Sequence, residues 1–121
     1  NPNAKVACLG LAFKANIDDF RESPARFVAS RLARKFGARI QIVEPYAEEL
    51  PIEFTDTGVG HIDIDTALEE CQILIVLVDH DVFRVVPLAE RADKLVYDTR
   101  GIWPDQPKAV VEDAPALRIA V

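Results

Sequence analysis

Three short runs of apolar residues alternate with segments of helical character along the chain. The runs lie in KVACLGLAF, RIQIVEP and QILIVLVDH, and the last of them holds six consecutive aliphatic residues from Ile73 to Val78. Runs that are apolar throughout are typical of strands buried on both faces of a parallel sheet. A further strand is predicted in KLVYDTRG, ending near Asp98, and a short edge strand in IEFT.

The clearest helix is predicted in SPARFVASRLARKFG. Ser23 is a suitable N-cap, Pro24 fits the first helical position and Gly37 fits the C-terminal cap. Residues at helical spacing form one apolar stripe: Phe27, Val28, the stem of Arg31, Leu32 and Phe36. Two shorter helices are predicted, in DTALEEC with Asp65 as its cap and in VVPLAERA.

This alternation of strands and helices predicts the fold class. It favours a Rossmann-like α/β domain, a three-layer αβα sandwich with a mostly parallel sheet. We expect one domain over residues 1–121, with residues 104–121 as a C-terminal tail in which LRIAV docks at an edge. Ligands bind such sheets beyond the carboxyl ends of the strands. Lys14 and Arg100 both follow predicted strand ends, so the topology brings them toward one edge.

Charge is unevenly distributed along the chain. The net charge of −6 argues against a nucleic-acid partner. Residues 1–43 carry eight Lys and Arg against three acids, whereas residues 44–121 carry six against seventeen. Solvated charge on the first helix accounts for half of the basic excess, from Arg26, Arg31, Arg34 and Lys35. Lys14 and Arg21 remain unexplained, and they suggest a local anion site.

The composition excludes several other classes. Cys8 and Cys71 show no CxxC spacing, so we expect buried free thiols in a reducing cytoplasm. His61 and His80 are isolated from each other and from the cysteines, so no metal site is expected. No apolar run is long enough for a membrane span, and no signal segment is apparent. Methionine is absent, which suggests a piece of a longer protein.

The segment GLAFKANIDDFRESPA raises the question of ligand chemistry. A dinucleotide site would show GxGxxG between strand and helix, but only Gly10 stands there, and GVG at residues 58–60 lacks a third glycine. A phosphoryl-receiver module is disfavoured, because GLAFK replaces the acidic pair expected after its first strand, although Asp79 and Asp81 follow a strong strand. The charged residues of the loop could be solvated only. A connection this long is nevertheless typical of a binding loop.

These motifs carry a resemblance. GLAFKANIDDFRESPA, followed by VEP, LVDH and YDTRGIW, resembles the C-terminal domain of the UDP-glucose/GDP-mannose dehydrogenase family, from about Val6 to Trp103. The resemblance implies a three-part enzyme in which an N-terminal Rossmann domain binds NAD, a helical middle region supports a homodimer, and this domain binds the UDP part of a UDP-sugar. The enzyme oxidises the sugar C6 alcohol to a carboxylate with two NAD, through a thioester on a cysteine outside this domain. Within the family, the VEP and LVDH motifs are most similar to those of UDP-N-acetylmannosamine dehydrogenases.

The resemblance also implies roles for particular residues. Phe13 and Lys14 match the family's AFK pair, and Arg100 matches an arginine that binds substrate, so these three are the expected substrate-binding residues. Arg21 matches the arginine of DxRES, which reaches the cofactor side. No catalytic residue is expected in this chain, and the fragment alone should be inactive. The alternative is a non-catalytic nucleotide-binding or dimerisation module.

Overall fold

The computed structural model of the chain describes residues 3–107. The LRIAV segment, predicted to dock at an edge, lies outside the described residues. The helices and strands are, in chain order, β1 (Val6–Leu9), α1 (Pro24–Phe36), β2 (Ile40–Val43), β3 (Gly60–His61), α2 (Ile64–Glu70), β4 (Ile73–Val76), α3 (Asp81–Arg84), α4 (Leu88–Arg91) and β5 (Leu95–Asp98). Two short 3-10 helices lie at Gly37–Arg39 and Ile52–Phe54.

The five strands form one all-parallel sheet in the order β3-β2-β1-β4-β5. Leu9, the last residue of β1, pairs with Val43 on one side and Val76 on the other. Val76 in turn pairs with Asp98, the last residue of β5. Four strands therefore end in line, and the loops that follow them share one edge of the sheet, as predicted.

Helices cover both faces of the sheet, which gives the three layers. One core packs α1 against one face and contains Val6, Cys8, Ile40, Ile42, Ile73 and Ile75. The other face packs against α2, α3 and Trp103, through Ala7, Leu9, Val43, Leu74 and Val76. Alternate residues of each strand thus enter opposite cores, which explains why the strands are apolar throughout. The predicted Rossmann-like sandwich is confirmed.

Helix α1 begins and ends where its caps predict. The Ser23 side chain accepts a hydrogen bond from the Arg26 backbone N–H, Pro24 occupies the first helical position, and Gly37 closes the helix at a φ of 56°. The predicted apolar stripe is wrong in two members, because Phe27 is 60% exposed and Arg31 is exposed with its guanidinium over the Phe27 ring. The buried face consists of Ala25, Ala29, Leu32 and Ala33. Three of these four residues are alanines, and all four belong to the core between α1 and the sheet.

Three other local predictions differ from the structure. IEFT is not a strand, since Ile52–Phe54 form a 3-10 helix, and the edge strand is Gly60–His61, which pairs with β2. The cap of α2 is Asp63 rather than Asp65, and its carboxylate accepts from the Thr66 N–H at 2.8 Å. Helix α3 has four residues, too few for a periodic signal, and the sequence did not predict it.

The predicted free thiols are confirmed, because Cys8 and Cys71 are both unpaired with each other and buried. Burial raises the pKa of Cys8 to about 12 and that of Cys71 to about 11. Neither thiol is suited to nucleophilic chemistry. Within residues 3–107, none of the helices has the length and apolar character that a membrane crossing requires.

Candidate functional site

The connection between β1 and α1, residues 10–23, turns sharply at its first residue. Gly10 has a φ of 103°, and its N–H donates to the Val43 carbonyl at 2.9 Å. A Cβ atom at this position would lie 2.5 Å from the Cβ of Val78. Only glycine fits this backbone conformation and this close approach, so the turn is fixed at the sheet edge.

A buried carboxylate holds the next residues of the loop. Glu44, which directly follows β2 and is 1% exposed, accepts hydrogen bonds at Oε1 from the N–H groups of Leu11 at 2.8 Å and Ala12 at 3.2 Å. Its Oε2 accepts from the Tyr46 N–H at 2.9 Å, and His80 lies 2.9 Å from Oε1. Burial by itself raises the pKa of Glu44, but the hydrogen bonds from His80, Leu11 and Tyr46 outweigh it and hold that pKa below its ordinary value.

His80 connects this carboxylate to the outer part of the loop. Its Nδ1 lies 2.8 Å from the Asn16 backbone nitrogen and must accept from that N–H. The proton of the ring therefore sits on Nε2, which donates to Glu44, and the imidazole is neutral. Asn16 has a φ of 62°, and its Oδ1 accepts from the Asp81 N–H at 2.9 Å.

His80 was compared only with His61 and the cysteines in the sequence, and its contact with Glu44 was not predicted. The two residues are far apart in the chain, and each follows a buried strand of the parallel sheet. The available signal was a charged residue beyond one strand end and a histidine beyond another, because such ends converge at one edge. Within the described residues, no group of three or more His, Cys, Asp or Glu side chains is placed to hold a metal ion.

The outer part of the loop is closed by its own contacts. The Phe13 N–H donates to the Asp19 carbonyl at 2.8 Å, and the Ser23 hydroxyl donates to the Ala12 carbonyl at 3.0 Å. Ser23 therefore links the loop to the start of α1, which it also caps. The chain between Phe13 and Asp19 forms a closed loop, in which Phe13 is 56% exposed and Lys14 is also exposed, whereas Ile17 packs against the core.

Arg100 approaches the same edge from the end of β5. The Asp98 carboxylate accepts from the N–H groups of Arg100, Ile102 and Trp103, at 3.2, 3.1 and 2.8 Å, and so fixes the turn. Arg100 Nη2 lies 3.5 Å from Asp79 Oδ1, and the arginine side chain is 46% exposed. This contact is longer than a normal N–H···O hydrogen bond, so the guanidinium can exchange it for another anion.

Asp79 has a second cationic neighbour, since Arg84 Nη2 lies 3.0 Å from its Oδ2. Burial alone raises the pKa of Asp79, but its own backbone N–H, Arg84 and Arg100 lower that pKa below its ordinary value. Asp79 is therefore ionised at neutral pH. Asp79 holds Arg100 near the sheet edge, and the guanidinium of Arg100 stays partly exposed to solvent.

The structure brings two of the four predicted site residues together. Phe13 and Arg100 line one small cleft of about 60 Å³, with Ser23, Leu77 and Val78. Lys14 directly follows Phe13 on the exposed loop. This cleft therefore lies where three segments meet: the loop after β1, the residues after β4 and the turn after β5.

Arg21 lies along a different surface. It lines a groove of about 440 Å³ that includes Arg26, Phe27 and Glu53. Its Nε and Nη2 both lie 3.1 Å from the carboxylate of Asp19, and its side chain is 86% exposed. Hydrogen bonds from Arg21 lower the pKa of Asp19. The structure does not place Arg21 in the cleft of Phe13 and Arg100.

The turn after β1 does not fit the pyrophosphate of NAD. In a dinucleotide-binding turn, free backbone N–H groups face the phosphates and glycines allow close approach. Here the N–H groups of Leu11 and Ala12 donate to Glu44, and the space beside Gly10 is filled by Val78. The carboxylate of Glu44 thus accepts the hydrogen bonds that the pyrophosphate of NAD would need.

The described residues thus form an all-parallel Rossmann-like sheet with a small cleft at its carboxyl edge, which Arg100 lines, and Glu44 accepts from the N–H groups of the turn after β1. The sequence model of the UDP-glucose/GDP-mannose dehydrogenase family, UDP binding domain, matches residues 7–105. The chain belongs to this family, as the motifs of its loop and strand ends predicted.

Curated relatives agree with the family assignment. The chain is 42% identical over 99 residues to a UDP-N-acetyl-D-mannosamine dehydrogenase from Salmonella typhi, covering 82% of the chain and 23% of the relative. It is 39% identical over 98 residues to an NDP-N-acetyl-D-galactosaminuronic acid dehydrogenase from Ralstonia nicotianae, covering 81% and 23%. The chain thus spans about a quarter of the length of the relatives it matches.

Solved structures show the same fold. A UDP-glucose dehydrogenase from Pyrobaculum islandicum is similar with a TM-score of 0.62 and 31% identity, over 78% of this chain and 21% of the other. A UDP-N-acetyl-mannosamine dehydrogenase from S. aureus gives a TM-score of 0.60 at 24% identity, over 82% and 22%, which supports the fold.

Proposed function

We propose that this chain supplies the UDP-binding part of an NAD-dependent nucleotide-sugar 6-dehydrogenase, which oxidises the sugar C6 alcohol to a carboxylate. The observation that carries the proposal is the cleft at the carboxyl edge of the sheet, which Phe13 and Arg100 line together. The family of the chain and the activities for which its relatives are named support the choice of UDP as ligand.

Each residue has a role that suits its chemistry. Arg100 offers a planar set of N–H donors that can bind a phosphate with two hydrogen bonds, and Lys14 offers a mobile point charge. Phe13 offers an exposed aromatic face for the uracil or the sugar ring. Substrate phosphate would replace the long contact between Arg100 and Asp79, which leaves Asp79 paired with Arg84.

We place NAD mainly outside this chain, on an N-terminal domain of the longer protein. The support is the turn after β1, where Glu44 takes the backbone donors that a pyrophosphate would need. Arg21 serves the cofactor side from its own groove, separate from the cleft of Arg100. The full-length protein would act as a homodimer in the cytoplasm, a compartment in which the two free thiols would stay reduced.

The substrate is a UDP-sugar, with UDP-N-acetylmannosamine and UDP-glucose as the two types considered. The Salmonella typhi relative, a UDP-N-acetyl-D-mannosamine dehydrogenase, favours the first. The chain alone should not oxidise either sugar, because its two thiols are buried and the cofactor site lies elsewhere. Turnover of a UDP-sugar with NAD by the purified chain would contradict this division of labour.

Calorimetric titration of the 121-residue chain with UDP tests the proposal. Arg100→Ala and Lys14→Ala should each weaken UDP binding at least about tenfold, since a charge-assisted hydrogen bond contributes about 1.5–3 kcal/mol. Arg34→Ala and Lys35→Ala are matched controls, because they remove the same charges from exposed positions in the last turn of α1. The controls should change the affinity by less than about twofold.

Comparison of the site variants with the control variants distinguishes a specific UDP site from general electrostatic attraction of UDP to the chain. Equal losses in the site variants and the controls would mean that UDP is attracted by charge alone, and the proposal would fail. Failure of UDP to bind the unmodified chain at millimolar concentration would also overturn it.

A further inference from the structure

Glu44 and His80, which are buried, and Asn16, which is exposed, form a connection between the carboxyl edge of the sheet and the loop after β1. Glu44 and His80 have no exposed side-chain surface, and Nε2 of the histidine lies 2.9 Å from Glu44 Oε1. On its other side the ring accepts from the Asn16 N–H at 2.8 Å. Buried pairs of this kind are costly to form unless every polar atom has a partner, and here the hydrogen bonds supply those partners.

The hydrogen bonds of this connection bracket the residues assigned to substrate. Glu44 binds the loop backbone at Leu11 and Ala12, immediately before Phe13 and Lys14. His80 binds it at Asn16, immediately after them. The two attachments leave Phe13 and Lys14 as an exposed segment whose ends are fixed to residues that follow β2 and β4.

The rings around His80 restrict its position. Its centroid lies 4.9 Å from that of Tyr46 and 5.3 Å from that of Phe83. Asn16 adds a contact to the next turn, because its Oδ1 accepts from the Asp81 N–H at the start of α3. Asn16 has a positive φ of 62°, a conformation that asparagine adopts more readily than most residues with a Cβ, and its two hydrogen bonds are made from this conformation.

We propose that Glu44 and His80 are positioning residues, which hold the loop so that Phe13 and Lys14 are presented at the cleft of Arg100. The assignment of that cleft to UDP rests on the proposed function. The holding of the loop does not, because it is a property of the unliganded chain. Neither Glu44 nor His80 contacts the ligand in this account.

Two substitutions of His80 separate its two hydrogen bonds. In His80→Asn, the side-chain oxygen occupies the position of Nδ1 and can accept from the Asn16 N–H, whereas the donor to Glu44 is lost. In His80→Gln, the terminal amide occupies the position of Nε2 and can donate to Glu44, whereas the acceptor for Asn16 is lost. Ile73→Ala is the control for stability alone, because it removes a buried side chain at the first residue of β4, away from the loop.

Backbone amide exchange and UDP affinity are then measured on the four chains. His80→Gln should speed exchange of the Asn16 amide at least about tenfold and weaken UDP about tenfold, as the loss of one hydrogen bond allows. His80→Asn should retain slow Asn16 exchange and most of the affinity, and Ile73→Ala should change neither beyond the global loss of stability. Equal exchange of Asn16 in both His80 variants, or loop exchange in Ile73→Ala like that in His80→Gln, would overturn the positioning role.

The unmodified chain supplies an independent test if either His80 variant fails to fold. Ring nitrogen chemical shifts at neutral pH should show a neutral His80 with its proton on Nε2. A proton on Nδ1 would contradict acceptance from Asn16 and would overturn the inference. If the unmodified chain does not bind UDP, the proposed function fails, and the amide exchange still decides whether the pair holds the loop.

Discussion

Substitution of Gly10 should be among the most damaging single changes in the loop. An alanine there meets two separate costs. A φ of 103° is unfavourable for a residue with a side chain, by about 1–2 kcal/mol. The added Cβ would also lie 2.5 Å from Val78 Cβ and 2.7 Å from Val78 Cγ2, an overlap of the kind that costs about 1–3 kcal/mol in a packed core. Gly10→Ala should therefore lower the free energy of unfolding by about 2–5 kcal/mol.

The chain offers a control that isolates the steric part. Gly101 has a φ of 70°, but a Cβ atom there would have nothing within 4 Å. Gly101→Ala should therefore cost only the backbone part, about 1–2 kcal/mol. Urea unfolding of both variants, followed by circular dichroism, measures the difference. In addition, Val78→Ala in the Gly10→Ala background should recover part of the steric cost, which a double-mutant cycle detects.

The reasoning is refuted by either of two results. If Gly10→Ala and Gly101→Ala are equally destabilised, Val78 does not fill the space beside the turn. If Gly10→Ala costs less than about 0.5 kcal/mol, the turn tolerates a side chain, and the described geometry is wrong.

Three further predictions concern capping, pH and thiols. Asp63→Ala should lower the urea midpoint more than Asp65→Ala does, because Asp63 caps α2. The pKa of Glu44 is lowered in the folded chain, so its ionised form should stabilise the fold fully above the ordinary value of 4.5, and this contribution should be lost as the pH falls through the lowered pKa. Between pH 7 and pH 3, the free energy of unfolding in urea should therefore fall less in Glu44→Gln than in the unmodified chain. Cys8 and Cys71, with raised pKa values of about 12 and about 11, should react with a thiol reagent only after urea unfolds the chain. A shallow pH profile shared by both proteins, rapid labelling of the native thiols, or a larger effect of Asp65→Ala would contradict the respective prediction.

Local signals were sufficient for the main elements. Helix α1 has a serine cap, a proline at its first position and a glycine at its end, all within one segment, and the structure uses each of them. The buried strands were predictable because short runs of consecutive apolar residues are typical of strands buried on both faces of a sheet. The order of these elements then led to the parallel sheet.

Elements set by distant contacts were not predictable in this way. Strand β3 has two residues, Gly60 and His61, and exists because they pair with Gln41 and Ile42 of β2. IEFT has the better composition for a strand, yet Ile52 is 85% exposed. Likewise, Asp63 and Asp65 are both suitable caps, and the packing of Ala67 and Cys71 into the core selects Asp63.

The candidate site was predictable only in part. Lys14 and Arg100 were identified as charges beyond strand ends, and Phe13 and Arg21 through the family resemblance. The hydrogen bond between Glu44 and His80 was not predicted, because the two residues lie in different loops, 36 residues apart in the chain. A carboxylate that binds backbone N–H groups inside the fold is visible only once the strand ends have been brought together.

Residue-resolved titration of the unmodified chain, with UDP and with NAD in separate experiments, tests the central claim most directly. With UDP, backbone amide signals of Phe13, Lys14 and Arg100 should shift and should saturate along one binding curve. With NAD, the amides of Leu11 and Ala12 should not shift, because Glu44 already accepts from them. Saturable NAD shifts at residues 10–12, or UDP shifts that avoid the cleft of Phe13 and Arg100, would contradict the account.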